Sequence, residues 1–368
     1  MNFTFTDEQE ELRRTMRRFL DDKSPTTEVR RLMETPDGYD EAVWKQMATE
    51  LGLQGLHIPE EYGGQGFSFV ELGIVLEEMG RSLLAAPFLS SVCLAGNAIL
   101  DLGSDAQKKE LLPGIASGET IAALAFAEPN GRWDESGIEA TARKDGGGWV
   151  LNGTKRFVVD GSIASVLIVA AKAPEGVGLF VVDGDAAGVT REALPTLDQT
   201  RKQSVVELKD ARATALGDLP MSFEKLLDHI SICVAAEIVG GAQRCLDMAV
   251  EYAKNRIQFG RPIGQFQAIK HKCADMLLQI ESAKTAAYYA MWVAAKGDDE
   301  LRVVAPLAKA VASDAYFFAA SENIQVHGGI GFTWEHDAHL YFKRAKSSEL
   351  LFGDPVYQRE LLATRLGI

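Results

Sequence analysis

The spacing of apolar residues changes twice along this chain, from a helical period to a strand period and back to a helical one. Few folds place helices, then strands, then helices in that order, so the order narrows the choice of fold more than composition does. With 368 residues the chain can build two or three cooperating units, each with its own apolar interior. We predict an α+β protein with an N-terminal all-α domain at 1–120, a middle antiparallel β domain at 121–217 and a C-terminal four-helix bundle at 218–368.

The N-terminal third is predicted to be helical. Thr6 and Gln9 have the spacing of a capping box, and an apolar stripe that includes Met16 and Leu20 follows on one helix face. Further helices are predicted at about 40–52, 68–81, 88–102 and 105–117, separated by loops such as PEEYGGQG.

The middle of the chain has β-rich runs bounded by turn residues. The predicted strands are Ile121–Ala127, Ile138–Arg143, Trp149–Leu151, Val166–Ala171, Gly178–Val182 and Ser204–Leu208. Asn152-Gly153 suits a type I′ turn between Leu151 and a strand through Phe157, and the glycines after Asp145 close the preceding connection. An antiparallel sheet or barrel is expected.

Beyond Pro220 the pattern is helical again, and a long helix is predicted up to about Lys254. Long helices at about 264–296, 300–326 and 336–351 complete the predicted bundle.

Composition limits the classes of function. A net charge of −14 without a basic block argues against nucleic-acid binding, and no apolar run approaches membrane-spanning length, so no membrane insertion is expected. The N-terminus has charges where a signal peptide needs an apolar stretch, which makes the cytoplasm the expected location. The four cysteines share no metal-ligand spacing, so we expect core thiols and no metal site.

The most informative segment is EYAKNRIQFGRPIGQFQAIKHKCADM, which joins two predicted helices. Arg256 has the planar, permanently charged donors that suit a diphosphate, and Gly260 permits a tight turn. Gln267 offers an amide beside the rings of Phe259 and Phe266. The residue types describe an anion site beside an apolar shelf, and a plain helix corner with a surface arginine is the alternative.

This segment resembles the acyl-CoA dehydrogenase family, whose pattern R-x-x-F-G-x-x-I-x-x-F-Q is fully present. A second family element, Q-x-x-G-G-x-G, is matched in QVHGGIGF, and the PEEYGGQG loop and N-G-x-K extend the resemblance over nearly the whole chain. The resemblance implies the family's three-domain fold and FAD as cofactor. It implies that one subunit cradles the ADP part of a neighbour's FAD through Arg256, Gln258, Phe259, Phe266, Gln267, Gln325, Gly328 and Gly329.

The glycines of this element are also suited to a nucleotide site. Because glycine has no Cβ, its backbone N–H can approach a phosphate or ribose closely. His327, between the two parts of this element, is expected to be a packed or surface residue and not a base. A homodimer, homotetramer or heteromeric equivalent would then be required.

On the flavin-ring side the sequence departs from the family. The family's T-E-P reads Ala127-Glu128-Pro129 here, and its W-I-T or W-I-S strand reads Phe157-Val158-Val159. Two hydroxyls and an indole are therefore absent, and flavin contacts at Ala127, Phe157 and Val159 are left to the backbone and the phenyl ring.

The catalytic base is also missing from its usual place. The family reaction removes an α-proton from an acyl-CoA thioester while hydride passes to flavin, which needs a positioned carboxylate. The usual glutamate position aligns with Phe352, and a second family position aligns with about Ile230. The nearest acids are Asp354, which is also typical of a turn before proline, and Asp228, expected to be a solvated helix residue.

Two functions remain open from the sequence. The first is an FAD-dependent acyl-CoA dehydrogenase with Asp354 or an unrecognised acid as base, and an electron-transferring flavoprotein as acceptor. The second is a base-deficient partner subunit of a heteromeric acyl-CoA dehydrogenase, as in the steroid side-chain-degrading branch of actinobacteria. A pure acyl-CoA binding or scaffolding protein is a third class, against which the intact ADP-side motifs count.

Overall fold

A computed structural model describes residues 5–368 of the chain. Within that range the α-helices are α1 (Asp7–Lys23), α2 (Thr26–Met33), α3 (Glu41–Thr49), α4 (Phe69–Ser82), α5 (Asn97–Leu102), α6 (Asp105–Ala116), α7 (Glu224–Asn255), α8 (Gln267–Lys296), α9 (Leu301–His327), α10 (Ala338–Leu350) and α11 (Pro355–Leu366). The β-strands are β1 (Ala122–Ala125), β2 (Thr141–Asp145), β3 (Gly148–Val159), β4 (Val166–Ala173), β5 (Gly176–Asp183), β6 (Val189–Ala193), β7 (Gln203–Ala215), β8 (Ile257–Gln258) and β9 (Arg261–Pro262). The predicted order of helices, strands and helices is confirmed.

Contacts between residues divide the chain into two compact units. One contains α1 together with Phe69–Leu84 and Ser231–Ile368, and the other contains Arg31–Ser68 and Ala85–Ile230. Element type changes between α6 and β1 and again between β7 and α7, while the domain boundaries at 120 and 217 stay a prediction.

In the first unit the predicted capping box begins α1. The Thr6 hydroxyl accepts the Gln9 N–H, and the Gln9 side chain accepts the Thr6 N–H. Ion pairs to two buried glutamates then hold α1 against α4, with Arg13 Nη1 at 2.6 Å from Glu77 Oε2 and Arg17 Nη2 at 2.7 Å from Glu78 Oε1.

The C-terminal helices of this unit pack around α9, which contacts α8, α10 and α11. Helix α11 was not anticipated, because the prediction ended its last helix near residue 351. Two segments of the described chain, Glu224–Asn255 and Leu301–Phe332, are long and apolar enough to cross a membrane, so the expectation that no run approaches that length was wrong. Their most apolar windows are 89% and 67% buried inside the protein, as in core helices.

In the second unit the long strands form a closed sheet around an apolar core that includes Leu151, Phe180 and Val206. The strand order is β1-β4-β2-β3-β7-β5, β4 also pairs with β5, and β6 pairs with β7. Most neighbours are antiparallel as predicted, whereas β1 and β2 each pair with β4 in parallel.

The turn chemistry of this sheet was predicted correctly at one place and wrongly at another. Gly146 and Gly147, both with positive φ, form the two-residue turn between β2 and β3. Asn152-Gly153 is not a turn, since β3 runs straight through it. The register of β3 against β7 shifts there, and a Cβ on Gly153 would lie 2.5 Å from the Ala140 Cβ.

A buried segment of eight residues, Leu89–Gly96, is a π-helix where an ordinary helix was predicted. It contacts β1, and the Ser91 hydroxyl accepts the Ala122 N–H at 3.1 Å.

Candidate functional site

The segment between α7 and α8 is a short hairpin. Strands β8 and β9 pair with Gln258 opposite Arg261, which leaves Phe259 and Gly260 as the two loop residues. Both have positive φ, 52° and 76°, so the turn has the form of type I′. The predicted tight turn at Gly260 is therefore present. The Phe259 ring is 91% exposed at its tip.

Arg256 lies at the base of this hairpin. Its N–H donates to the Tyr252 carbonyl at 2.8 Å, and its carbonyl accepts the Ile263 N–H at 2.8 Å. The backbone is thus fixed on both sides, while the side chain is exposed. An exposed guanidinium on a fixed backbone is suited to bind a diphosphate.

The two aromatic residues of the predicted shelf contact each other. Phe266 lies edge-on to Phe259 with a centroid distance of 6.1 Å, and the Arg261 guanidinium lies 4.3 Å from the Phe266 centroid. Gln267 is the first residue of α8 and is exposed, as is Gln258 on β8.

The second glycine-rich element ends α9. Gly328 caps the helix with φ 64° and ψ −141°, a conformation that is nearly restricted to glycine. A Cβ built on Gly328 or on Gly329 meets no atom within 4 Å, and Gln325 is exposed nearby. The backbone here is open to a ligand, as a phosphate or ribose cradle requires.

A ring stack joins the two elements. His327 lies 4.3 Å from the Tyr252 ring and 4.2 Å from the His336 ring, and its Nδ1 lies 2.8 Å from the Asn323 carbonyl oxygen. Burial lowers the pKa of His327 below its ordinary value. The expectation that His327 is packed is confirmed. Because Tyr252 supports Arg256 and His327 precedes Gly328, the stack fixes the two predicted ADP-side elements relative to each other.

The residues predicted to border the flavin ring lie in the second compact unit, the β unit, which contains the closed sheet. Between Lys155 and Val158, β3 advances three residues while β7 advances two, which is a β-bulge. Phe157 sits in the bulge with φ 57° and is partly exposed, whereas Val159 and Ala127 are buried. The Arg156 N–H donates to the Ala127 carbonyl at 2.8 Å and ties the two segments together.

The same region contains a buried ion pair whose role was not predicted. Lys155 Nζ lies 2.6 Å from Glu128 Oε1, and the two side chains are 0% and 3% exposed. Burial lowers the pKa of Lys155 to about 8. Both residues belong to the motifs that carry the family resemblance, but Thr154 and Arg156 flank Lys155, so no local pattern indicates that it is buried.

Phe352, which the resemblance aligns with the family's glutamate, is a buried residue. Phe352 has φ 56° and accepts a hydrogen bond from Gln358 Nε2 through its carbonyl at 2.8 Å. Lys309, fully buried, donates to the carbonyls of Ser348, Glu349 and Gly353 at 3.0, 3.1 and 3.3 Å. These bonds fix the turn between α10 and α11, in which Asp354 is the acidic residue.

The two acids considered as substitutes have different surroundings. Asp354 is the N-cap of α11, where its carboxylate accepts the Tyr357 N–H at 2.8 Å before Pro355. That arrangement matches the turn alternative, and a catalytic role for Asp354 stays a prediction. Asp228 is 4% exposed, so the expectation of a solvated residue was wrong. It lies on α7, where it is packed inside the protein together with Ile230.

Comparison with known proteins agrees with this description. The chain matches the acyl-CoA dehydrogenase N-terminal, middle and C-terminal domains over residues 6–119, 123–210 and 222–367. It is 34% identical over 350 residues to the acyl-CoA dehydrogenase IpdE2 of Mycolicibacterium smegmatis, with 95% of this chain and 96% of that protein covered. The chain therefore belongs to the acyl-CoA dehydrogenase family.

Two solved structures show the same fold. Butyryl-CoA dehydrogenase from Megasphaera elsdenii superposes with a TM-score of 0.93 at 29% identity over all of both chains. A variant of the Tcur3481-Tcur3483 steroid acyl-CoA dehydrogenase superposes with a TM-score of 0.90 at 31% identity and 98% coverage of both chains. The family and these structures confirm the predicted fold and the class of oxidoreductase that acts on the CH–CH group of donors. The FAD cofactor is confirmed by the solved structure of an FAD-dependent dehydrogenase, which superposes with a TM-score of 0.91 at 31% identity over all of both chains. They also support an acyl-CoA substrate and an oligomeric state.

Proposed function

We propose that this chain binds FAD by two separate surfaces. The β unit borders the flavin ring with Ala127, Phe157 and Val159, and the hairpin and glycine elements hold the ADP part of a neighbouring subunit's FAD. Bound FAD supplies the hydride acceptor for α,β-dehydrogenation of an acyl-CoA thioester. The chain's own residues orient the cofactor.

One observation carries the ADP part of this proposal. Phe259 is 91% exposed on a hairpin whose backbone is fixed, beside exposed Arg256. Large exposed aromatic side chains on rigid supports are typical of surfaces that a ligand or partner covers. The open backbone at Gly328 and Gly329 provides the close approach that a nucleotide needs.

The test is the flavin content of the purified protein and of Arg256→Ala. We expect Arg256→Ala to lose flavin while its unfolding midpoint, compared with the wild type after removal of flavin, stays unchanged, because an exposed arginine adds little to stability. Arg18→Ala, which removes an exposed arginine from α1 in the same compact unit, is the matched control and should retain flavin. Equal flavin content in the three proteins, with flavin present in the wild type, would refute a role for Arg256.

A second candidate function is favoured by the state of the base position. Phe352 is buried where the family has a glutamate, and Asp354 is engaged as a helix cap. The chain would then be a base-deficient subunit of a heteromeric dehydrogenase, supplying the ADP-binding half to a different chain that brings the base. The similarity to the Tcur3481-Tcur3483 steroid enzyme supports this arrangement and an actinobacterial steroid branch.

The flavin-to-polypeptide ratio of the chain purified alone separates the two candidates. A ratio near one means that copies of this chain build complete sites, in a homodimer or homotetramer. A ratio near zero in folded protein favours the heteromeric arrangement with a paralogous subunit. We further propose that an electron-transferring flavoprotein accepts the electrons and that the protein is located in the cytoplasm.

A further inference from the structure

The two β-unit segments that we assign to the flavin ring are joined by the buried Lys155–Glu128 pair. Glu128 directly follows Ala127, and Lys155 stands at the start of the bulge that contains Phe157. Their side-chain atoms meet at 2.6 Å in a fully enclosed position. The pair is therefore the side-chain link between the segments, beside the backbone bond from the Arg156 N–H to the Ala127 carbonyl.

Each partner also holds backbone on its own. Lys155 Nζ donates to the Phe126 carbonyl at 3.1 Å, and Glu128 Oε1 accepts the Ala140 N–H at 2.9 Å. Three consecutive residues are thus bonded to β3. The carbonyls of Phe126 and Ala127 accept from Lys155 Nζ and the Arg156 N–H, and the Glu128 carboxylate pairs with Lys155. Such a set of fixed bonds determines where the Ala127 backbone lies relative to β3.

A contribution to folding stability does not by itself explain why a buried ion pair stands at this position. Burying two charges costs free energy for each ion, and replacing such a pair by apolar residues of similar volume is often neutral or stabilising. The lowered pKa of Lys155, about 8, reflects that cost of burial. In addition, Phe157 adopts φ 57°, a conformation that a bulky residue keeps only when its surroundings impose it.

We propose that Lys155 and Glu128 are positioning residues for FAD, which fix the spacing between Ala127 and the Phe157–Val159 bulge so that both segments meet the flavin ring. This inference rests on the first proposed function, in which this chain borders the flavin. The pair acts through the backbone it holds, and neither residue has a chemical role in the reaction.

The test compares three variants with the wild-type flavoprotein, purified with whatever subunit accompanies it. Lys155→Met removes the cation, and Lys155→Met/Glu128→Leu replaces the pair with an apolar one. Lys144→Met is the matched control, because the Lys144–Glu175 pair has the same 2.6 Å distance in the same unit but is exposed. For each protein we measure the thermal midpoint, the FAD dissociation constant and the visible flavin spectrum.

We expect the double variant to regain the stability that Lys155→Met loses, because no unpaired charge remains. Its FAD dissociation constant should nevertheless rise about tenfold or more, with a shifted flavin band, since a misplacement of about 1 Å at a binding edge has effects of that size or larger. Lys144→Met should match the wild type in all three measurements.

A double variant with wild-type affinity and an unshifted spectrum would overturn the positioning role and leave the pair purely structural. If Lys155→Met does not fold, the double variant still decides the question. Wild-type protein without flavin in any purified form would instead refute the proposed FAD binding, and the positioning role with it. The two failures are distinguished by whether the wild type carries flavin.

Discussion

His57 is expected to make the stability of the β-containing unit depend on pH below neutrality. The imidazole is buried, with its Nε2 at 2.8 Å from Asn97 Oδ1, and burial lowers the pKa of His57 to about 4. The unfolded chain has the ordinary value near 6.5, so between these values the unfolded state binds more protons. Stability therefore rises with pH across this window and is lost as the pH falls through it.

The size of the effect follows from the two pKa values. Protonation of His57 in the unfolded state lowers the free energy of unfolding by about 2 kcal/mol at pH 5 and about 3 kcal/mol near pH 4, relative to neutral pH. The assay is urea unfolding of the wild type and His57→Gln at pH 7.5 and pH 5, with the same excess of FAD. We expect the loss of unfolding free energy between the two pH values to be about 2 kcal/mol smaller in His57→Gln.

His271→Gln is the control, because His271 is exposed on α8. It should show the wild-type pH dependence. If His57→Gln lost as much stability at pH 5 as the wild type, His57 would not be the group that is held neutral by burial. The reasoning from burial to pKa at this position would then be wrong.

Three further predictions concern the site. Asp354→Asn should keep the thermal midpoint, because asparagine caps a helix as well as aspartate does. The same variant should abolish substrate-dependent bleaching of the flavin if Asp354 is the base. Full bleaching would show that Asp354 is only a helix cap. Gly328→Ala should destabilise the chain by about 1–3 kcal/mol in urea unfolding, because alanine tolerates its backbone conformation poorly. Gly329→Ala should leave stability unchanged, since its Cβ meets open space, yet weaken FAD binding if a phosphate or ribose approaches there; unchanged affinity would contradict the cradle.

The sequence was sufficient where local chemistry decides the structure. The Thr6–Gln9 capping box, the Gly146-Gly147 turn and the turn at Gly260 each depend on residues within a few positions of one another. A turn at Asp354-Pro355 was also predicted, although the helix α11 that begins there was not. Long helices with a sustained apolar period were also predicted near their observed limits.

Features that depend on distant residues were not predicted. Asn152-Gly153 has ideal turn residues, but the pairing of β3 with β7 continues through them and uses the glycine against Ala140. Asp228 reads as a solvated residue from its neighbours, whereas tertiary packing buries it. Lys309 and the Lys155–Glu128 pair could not be recognised, because their partners lie 27 or more positions away. The catalytic base is a similar case, since a carboxylate from elsewhere in the fold or from another chain has no local pattern.

The hairpin tip has a consequence for how the protein matures in the cell. A newly folded chain that has not yet assembled carries Phe259 in water, on a rigid turn that cannot withdraw it. Chaperones and proteases recognise exposed aromatic residues of this kind, so the lifetime of the free chain should depend on how fast a partner covers the tip.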